Sequence, residues 1–176
     1  MSKSLFERFL PLAEREQRLA AGDALFRVDD PVLSLFLVAT GELRLVRALP
    51  HGFQLTLQRA GAGSILAEAS MFAELYHCDA VAAQDSKVLA LPMARAKAAL
   101  DNDPALASAL LGHLAGEVQR TRTRAEILSL KSVGARLDAW MAFNGGDLPP
   151  KGRWRQVASE IGVTPEAFYR ELARRR

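Results

Sequence analysis

The chain has 176 residues, of which 49% are hydrophobic, and a net charge of +3. This length and composition suffice for one large or two small buried cores. No apolar run approaches the roughly 18 residues of a membrane span, no signal-peptide pattern opens the sequence, and the single cysteine, Cys78, cannot form an internal disulfide. No zinc spacing, phosphate-binding loop or nucleophile motif is present. The sequence therefore predicts a cytoplasmic protein that is not an enzyme, binds no cofactor and does not enter a membrane.

The first half of the chain is predicted to fold into a small antiparallel barrel or roll. Residues 4–19 are predicted to form one or two short amphipathic helices. Short apolar or alternating runs follow at about ten-residue spacing, separated by turns rich in glycine, and they cover residues 35–38, 42–47, 53–58, 80–83 and 87–91. Strands of this length and spacing are typical of closed all-β architectures. A short helix over residues 68–72 interrupts the strands.

The second half is predicted to be helical. A short helix covers residues 92–100, and Asp103 and Pro104 then form an N-cap and N1 pair that opens a helix reaching about residue 130. Apolar or small residues recur along it at spacings of three and four: Leu106, Leu110, Leu114, Val118, Thr121, Ala125 and Leu128. Such a seam is typical of a parallel dimeric coiled coil, and the alternative is packing against the roll of the same chain. Ser132 is predicted to cap a further helix over residues 133–143.

The last residues carry the pattern of a helix-turn-helix. Two short amphipathic segments meet at Gly162, which can adopt the left-handed conformation of a tight turn. Thr164 can cap the second segment, and Pro165 suits its first helical position. Phe168 and Leu172, four residues apart, predict one apolar face of that second helix. In a helix-turn-helix, this second helix lies in the major groove of DNA, whereas the alternative is a plain helical hairpin packed on a core.

The distribution of charge favours the DNA-binding interpretation. Residues 151–176 carry seven lysines and arginines against three glutamates, whereas residues 1–117 carry eleven against fourteen acidic residues. Positive charge is thus concentrated in the segment predicted to contact phosphates.

The order of roll, long helix and helix-turn-helix resembles the CRP/FNR family of bacterial transcription regulators. The residues that carry this resemblance are Gly22-Asp-Ala-Leu-Phe26, Leu35-Phe-Leu-Val, Gly41-Glu-Leu-Arg-Leu45, Gly61-Ala-Gly63, Glu68 with Met71-Phe72, and the helix-turn-helix. The resemblance implies an α+β protein with an antiparallel β-roll sensor domain over residues 1–102, like a cyclic-nucleotide-binding domain. A dimerisation helix follows over residues 103–131, and a DNA-binding domain over residues 132–176. The same resemblance implies a homodimer formed through residues 103–131 and a possible small-molecule effector. For an activator, it also implies contact with RNA polymerase.

The resemblance also implies where an effector would bind. The corresponding pocket residues are Ala67, Glu68, Ala69, Ser70, Cys78, Asp79, Thr121 and Arg122. Relatives that bind cyclic nucleotides have Gly-Glu and Arg-Ser pairs where this chain has Ala67-Glu68 and Cys78-Asp79. The carboxylate that meets the ribose is kept, but the arginine that meets the phosphate is replaced, and a carboxylate is added beside it. The effector is therefore predicted not to be cAMP.

For the helix-turn-helix, the resemblance implies DNA contacts by Arg153, Arg155, Thr164, Pro165, Glu166, Tyr169, Arg170 and Arg174. Relatives that read a guanine-containing half-site place Arg, Glu and Arg where this chain has Pro165, Glu166 and Arg170. Glu166 can still accept from a cytosine amino group, and Arg170 can bind guanine or a phosphate. Relatives continue into a small β wing that is missing from this sequence, so the arginines at 174–176 are expected to supply phosphate contacts.

Two alternative functions follow from the same residues. The wingless helix-turn-helix is compatible with a vestigial DNA-binding module in a regulator that binds an effector or another protein. His77 and Cys78 are compatible with a haem-based gas sensor, but a simpler interpretation makes Cys78 a small buried apolar residue at the start of a strand.

Overall fold

The computed structural model describes residues 4–48 and 54–175. Phe53, the first residue of one predicted strand, and Arg176 lie outside the described residues. The chain forms two compact units, Met1–His113 and Leu114–Arg176. Among the described residues, no helix is both long and apolar enough to span a membrane.

The first unit is built on two antiparallel four-stranded sheets. Its described strands are β1 Arg15–Leu19, β2 Ala24–Phe26, β3 Ser34–Thr40, β4 Glu42–Ala48, β5 Gln54–Gly61, β6 Ile65–Leu66, β7 Asp79–Ala82 and β8 Ser86–Pro92. The strand orders are β1-β8-β3-β6 and β2-β7-β4-β5. A single turn of 3-10 helix, Glu68–Ser70, follows β6. This architecture confirms the predicted antiparallel roll.

Side-chain alternation explains which strand faces form the core of this unit. On β4, Leu43 is paired in register with Ala60 of β5 and Ala82 of β7, and all three side chains are buried. Arg44 is paired with Arg59 and Val81, which lie on the opposite face. β3 is different, because its apolar run from Leu35 to Val38 is buried throughout. A continuous apolar run is what a strand covered on both faces requires.

The predicted helical character of residues 4–19 is wrong beyond Leu12. The chain begins with α1, Leu5–Phe9, which Ser4 and Glu7 cap reciprocally, and a 3-10 turn follows over Leu10–Leu12. Residues 15–19 are instead β1, which pairs with β8 at the edge of the first sheet. Because an edge strand can expose most of its side chains, its polar sequence lacks the alternation that reveals a buried strand.

The helices that follow agree closely with the sequence. They are α2 Met93–Asn102, α3 Pro104–Ser129, α4 Val133–Phe143, α5 Trp154–Glu160 and α6 Pro165–Arg174, with a 3-10 turn at Lys151–Arg153. The predicted caps are confirmed. Asp103 Oδ1 accepts hydrogen bonds from the backbone N–H groups of Ala105 and Leu106, and Ser132 Oγ accepts from Ala135.

The apolar seam predicted along α3 is only partly available to a second chain. Leu106 and Leu110 are buried within the chain itself, so their assignment to a dimer seam is wrong. Leu111 and Val118 are 68% and 49% exposed, and Ala115 and Ala125 are also exposed. Leu111, Ala115 and Val118 are spaced four and three residues apart, and Ala125 follows Val118 by seven, so the four lie along one exposed stripe of the helix.

Candidate functional site

Residues 154–174 form the predicted helix-turn-helix in the second unit. Gly162 has a φ of +67°, a conformation that favours glycine, and a Cβ at this position would lie 2.5 Å from Leu128 Cδ2, so the Leu128 side chain would have to shift. Val163 N–H donates to the carbonyl oxygen of Ala158 across the turn, at 2.9 Å. Thr164 then caps α6 by accepting from Ala167 N–H at 3.2 Å. The glycine and the threonine cap are the local signals from which the sequence predicts this turn.

One face of this motif is buried in a small apolar core. Val157, Ala158, Ile161 and Phe168 pack with Ile127, Leu137 and Trp140, and Leu172 lies against the same cluster. This confirms that Phe168 and Leu172 face the core. Ala158 is completely buried, and its small side chain allows the two helices to approach closely. The apolar cluster fixes which side of α6 is left for a ligand.

The residues predicted to contact DNA lie on the other side. Those with exposed side chains are Arg153, Arg155, Thr164, Glu166, Tyr169, Arg170 and Arg174, whereas Pro165 is half-buried. Glu166, Tyr169 and Arg170 recur at the spacing of one helical face. Tyr169 is 39% exposed, and its ring centroid lies 5.8 Å from that of Trp154. The tyrosine ring thus packs against Trp154 while part of it remains accessible to a ligand.

Glu166 is held in its ionised form at the N-terminus of α6. The pKa of Glu166 is lowered because its carboxylate accepts from its own backbone N–H and from the Thr164 hydroxyl, with a smaller contribution from the charge of Arg155. An ionised carboxylate can only accept hydrogen bonds. In a major groove, Glu166 would therefore favour a cytosine amino group over a guanine edge.

The arginines near the end of α6 are engaged inside the unit, which sequence reasoning missed. Arg174 Nη2 and Arg175 Nε lie 2.9 and 2.8 Å from Glu171 Oε1. Arg175 Nη1 also contacts Asp138 Oδ1 at 2.5 Å, and Nη2 donates to the carbonyl oxygen of Gly134 at 2.9 Å. The spacing of Glu171 to Arg174 and Arg175 indicates helical ion pairs, but no sequence signal pointed to Asp138.

Arg136 is a second residue that the sequence did not reveal. Its guanidinium donates to the carbonyl oxygens of Leu130 and Leu128 at 2.8 and 3.0 Å, where α3 ends. It also donates to those of Ile161 and Gly162, in the turn, at 3.2 and 3.3 Å. One side chain on α4 thus joins the end of the long helix to the turn of the helix-turn-helix.

In the first unit, four of the predicted effector residues, Ala67 to Ser70, lie at the turn after β6. Glu68 and Ser70 are buried, whereas Ala69 is exposed. Ala67 has a φ of +71°, in the left-handed region that glycine adopts most readily. A glycine at this position would therefore adopt the same conformation without strain.

His113 lies close to Glu68. Its Nε2 is 4.0 Å from Glu68 Oε1, and the Glu68 side chain is only 5% exposed. The imidazole of His113, on α3, therefore faces the buried carboxylate of the roll. His113 Nε2 is itself buried and makes no hydrogen bond among the described residues.

Cys78 and Asp79 stand where the resemblance expects an arginine and a serine. Burial raises the pKa of the Cys78 thiol, so it stays protonated at neutral pH. Asp79 Oδ1 accepts from the backbone N–H of Val28 at 2.7 Å and thus holds a neighbouring loop. Thr121 and Arg122, the other predicted pocket residues, are exposed positions of α3 within the second unit.

His77 and Cys78 differ sharply in exposure. His77 is exposed, and its carbonyl oxygen accepts from Arg47 Nη2, whereas Cys78 is buried. This confirms the interpretation of Cys78 as a small buried apolar residue immediately before β7. The two side chains do not form a common ligand pair.

Comparison with known proteins supports these assignments of fold. Residues 16–103 match the cyclic nucleotide-binding domain family. FixK2 from Bradyrhizobium japonicum has 19% identity and a TM-score of 0.72, with 91% of this chain and 83% of that chain covered. The c-di-GMP responsive global regulator CLP from Xanthomonas campestris has 18% identity and a TM-score of 0.70, with 97% and 89% covered. The catabolite activator protein of Thermus thermophilus has 24% identity and a TM-score of 0.58, with 99% and 83% covered.

A search of curated proteins by sequence found no match. The family match covers half of the chain, and the fold is shared along nearly its whole length. The chain therefore belongs to the cyclic nucleotide-binding domain family and has the fold of the CRP/FNR-type regulators.

Proposed function

We propose that this protein is a DNA-binding transcription regulator of the CRP/FNR type, acting in the cytoplasm and without enzymatic activity. The observation that carries the proposal is the division of α6 into a buried apolar face and an exposed polar face. Phe168 and Leu172 pack on the core, so Glu166, Tyr169 and Arg170 are left exposed. An α-helix of this kind fits the width of the major groove.

Individual roles follow from the chemistry of the exposed groups. Arg170 supplies a planar donor fork for guanine or a phosphate, and Glu166 supplies an acceptor for a cytosine amino group. Thr164 caps α6 and Pro165 occupies its first turn, so the two residues fix where the recognition helix begins. Arg153 and Arg155 provide positive charge on the preceding segment, where they would neutralise phosphates.

The dimer that this function requires is formed through α3. The exposed stripe of Leu111, Ala115, Val118 and Ala125 matches the spacing of a two-stranded coiled coil. Pairing two copies places one helix-turn-helix on each of two half-sites. If the protein activates transcription, RNA polymerase is a further partner.

The effector, if one acts, is not cAMP. A cyclic phosphate needs a cationic or strongly donating partner, but the positions that would supply it are the protonated thiol of Cys78 and the carboxylate of Asp79. Glu68, which would meet the ribose, lies near the imidazole of His113. Isothermal titration calorimetry with cAMP is expected to give no heat of binding, and a micromolar dissociation constant would overturn this part of the proposal.

A second candidate is a regulator whose helix-turn-helix contacts another protein. The observation in its favour is the internal pairing of Arg174 and Arg175 with Glu171, which reduces the charge left for phosphates. DNA binding by charge neutralisation is strongly salt-dependent, so one titration separates the two candidates.

The test uses fluorescence anisotropy with a labelled duplex of mixed sequence. The protein is expected to bind, and raising salt from about 50 to 200 mM is expected to weaken binding at least tenfold. Arg155→Ala together with Arg170→Ala should lower both the affinity and the salt dependence. The control, Arg18→Ala, removes an exposed arginine of β1 and should have little effect. Absence of binding, or equal loss in the control, would contradict DNA binding through this surface.

A further inference from the structure

We propose that Asp138, Glu171 and Arg175 are positioning residues that set the rotation of α6 on α4 and thereby its sequence specificity. This inference rests on the proposed DNA-binding function. The ion-pair cluster, defined as these three residues with Arg174 and Gly134, joins the start and middle of α4 to the last turns of α6.

The geometry of the cluster is closed around Arg175. Its three guanidinium nitrogens contact the carboxylate of Glu171 on α6 at 2.8 Å, the carboxylate of Asp138 on α4 at 2.5 Å and the carbonyl oxygen of Gly134 on α4 at 2.9 Å. Glu171 is buried although it is ionisable, and both Arg174 and Arg175 bind it. A planar guanidinium with fixed donor directions restricts orientation far more than a point charge does.

Gly134 is part of the same arrangement. A Cβ at Gly134 would lie 2.9 Å from Glu171 Oε1 and 3.4 Å from a nitrogen of each arginine. The missing side chain thus leaves the space into which the carboxylate of Glu171 reaches. The carbonyl oxygen of the same residue receives Arg175 Nη2.

The apolar core cannot fix this rotation to the same degree. Phe168 and Leu172 hold α6 through apolar contact, which is non-directional and tolerates small rotations of a helix about its own axis. Glu171 lies beside this apolar face, so its pairing with Arg175 and Asp138 adds a directional contact at the flank. A rotation that broke this contact would move Glu166, Tyr169 and Arg170 together relative to a groove.

The two arginines of the cluster therefore have different roles. The side chain of Arg175 is 28% exposed and has all three guanidinium nitrogens engaged, whereas that of Arg174 is 74% exposed and, among the described residues, is hydrogen-bonded to Glu171 only. Arg174 is therefore the more accessible of the two to a phosphate, because the guanidinium nitrogens of Arg175 are already engaged. Substituting either one removes one positive charge and one partner of Glu171, so the two variants form a charge-matched pair.

The test compares Arg175→Ala with Arg174→Ala in the full chain, with folding checked by circular dichroism. A duplex enriched by the wild-type protein from a random library and an unrelated duplex are titrated with each variant. Arg175→Ala is expected to reduce the ratio of the two affinities about tenfold, the scale of one mismatched base pair. Arg174→Ala is expected to weaken both duplexes alike and leave the ratio unchanged. Equal ratios in the two variants would overturn the proposal.

A readout without DNA keeps the inference separate from the proposed function. Hydrogen exchange of the α6 amides is measured by mass spectrometry in the free proteins. Arg175→Ala is expected to lose protection in α6 relative to Arg174→Ala, and Asp138→Asn serves if Arg175→Ala does not fold. If the wild type enriches no duplex but protection changes as expected, DNA binding fails while the positioning of α6 stands. If protection is equal in all variants, the positioning role fails.

Discussion

Arg136 and Gly162 are joined by a hydrogen bond of 3.3 Å from Nη1 of the arginine to the carbonyl oxygen of the glycine. Gly162 is also the residue whose missing side chain admits Leu128 from the end of α3. The turn of the helix-turn-helix is therefore held by two residues outside it, one on α4 and one on α3. Substitutions of Arg136 or Gly162 are therefore expected to destabilise the second unit.

Substitution of Arg136 by lysine should destabilise the second unit by about 2 kcal/mol, because one ammonium cannot satisfy carbonyl groups at both ends of the guanidinium. Trp140 and Trp154, the two tryptophans of the chain, both belong to this unit, so urea unfolding followed by tryptophan fluorescence reports on it alone. An unchanged midpoint would show that these hydrogen bonds do not hold the turn.

Gly162→Ala should cost about 1–2 kcal/mol for the left-handed conformation, plus a smaller amount for turning away the Leu128 side chain, whose Cδ2 would lie 2.5 Å from the added Cβ. The matched control is Gly146→Ala, which has a φ of +93° but no atom within 4 Å of the added Cβ. It should cost only about 1–2 kcal/mol. Combining Gly162→Ala with Leu128→Ala should recover part of the difference, and equal losses in the two single variants would contradict the packing argument.

The stability of the second unit should depend on the ionisation of Glu171. The pKa of this residue is lowered from its ordinary value of 4.5, first by Arg174 and then by Arg175. A carboxyl group with a lowered pKa in the folded state stabilises the protein above its unfolded pKa, and this contribution is lost as the pH falls through the folded pKa. Urea midpoints measured from pH 6 downward should therefore fall less steeply below pH 4.5 in Glu171→Gln than in the wild type. Parallel profiles would contradict the assignment.

Ala67→Gly should stabilise the first unit, by about 0.5–1 kcal/mol. The left-handed conformation of Ala67, with a φ of +71°, costs alanine roughly 1–2 kcal/mol, and the greater freedom of glycine in the unfolded chain offsets part of that gain. Thermal unfolding followed by far-ultraviolet circular dichroism measures the change, with the tryptophan signal of the second unit as an internal reference. A lower melting temperature of the roll would show that Ala67 is not strained.

The features predicted correctly from the sequence are those with local causes. The turn at Gly162, the cap at Thr164 and the cap at Ser132 depend on residues within four positions of each other, so their signals are readable along the chain. The run of four apolar residues from Leu35 to Val38 indicated a buried strand, because a strand covered on both faces has apolar side chains at consecutive positions.

The features that were missed depend on partners distant in sequence. β1 has no apolar alternation because it is an edge strand, and only its pairing with β8 makes it a strand. Arg136 reaches carbonyl groups up to 26 positions away, and Arg175 reaches Asp138 across 37 positions. Neither hydrophobic periodicity nor charge counting contains that information. The proximity of His113 to Glu68 is hidden in the sequence for the same reason, since the two residues lie on different elements.

Selection of duplexes from a random library by the full-length protein tests the central claim most directly. We expect enrichment of a two-fold symmetric site whose half-sites lie about 10 base pairs, or a multiple of that distance, apart, and loss of this enrichment in Arg170→Ala. Failure of the wild-type protein to enrich any sequence, at a salt concentration where it is folded and dimeric, would contradict DNA reading by α6.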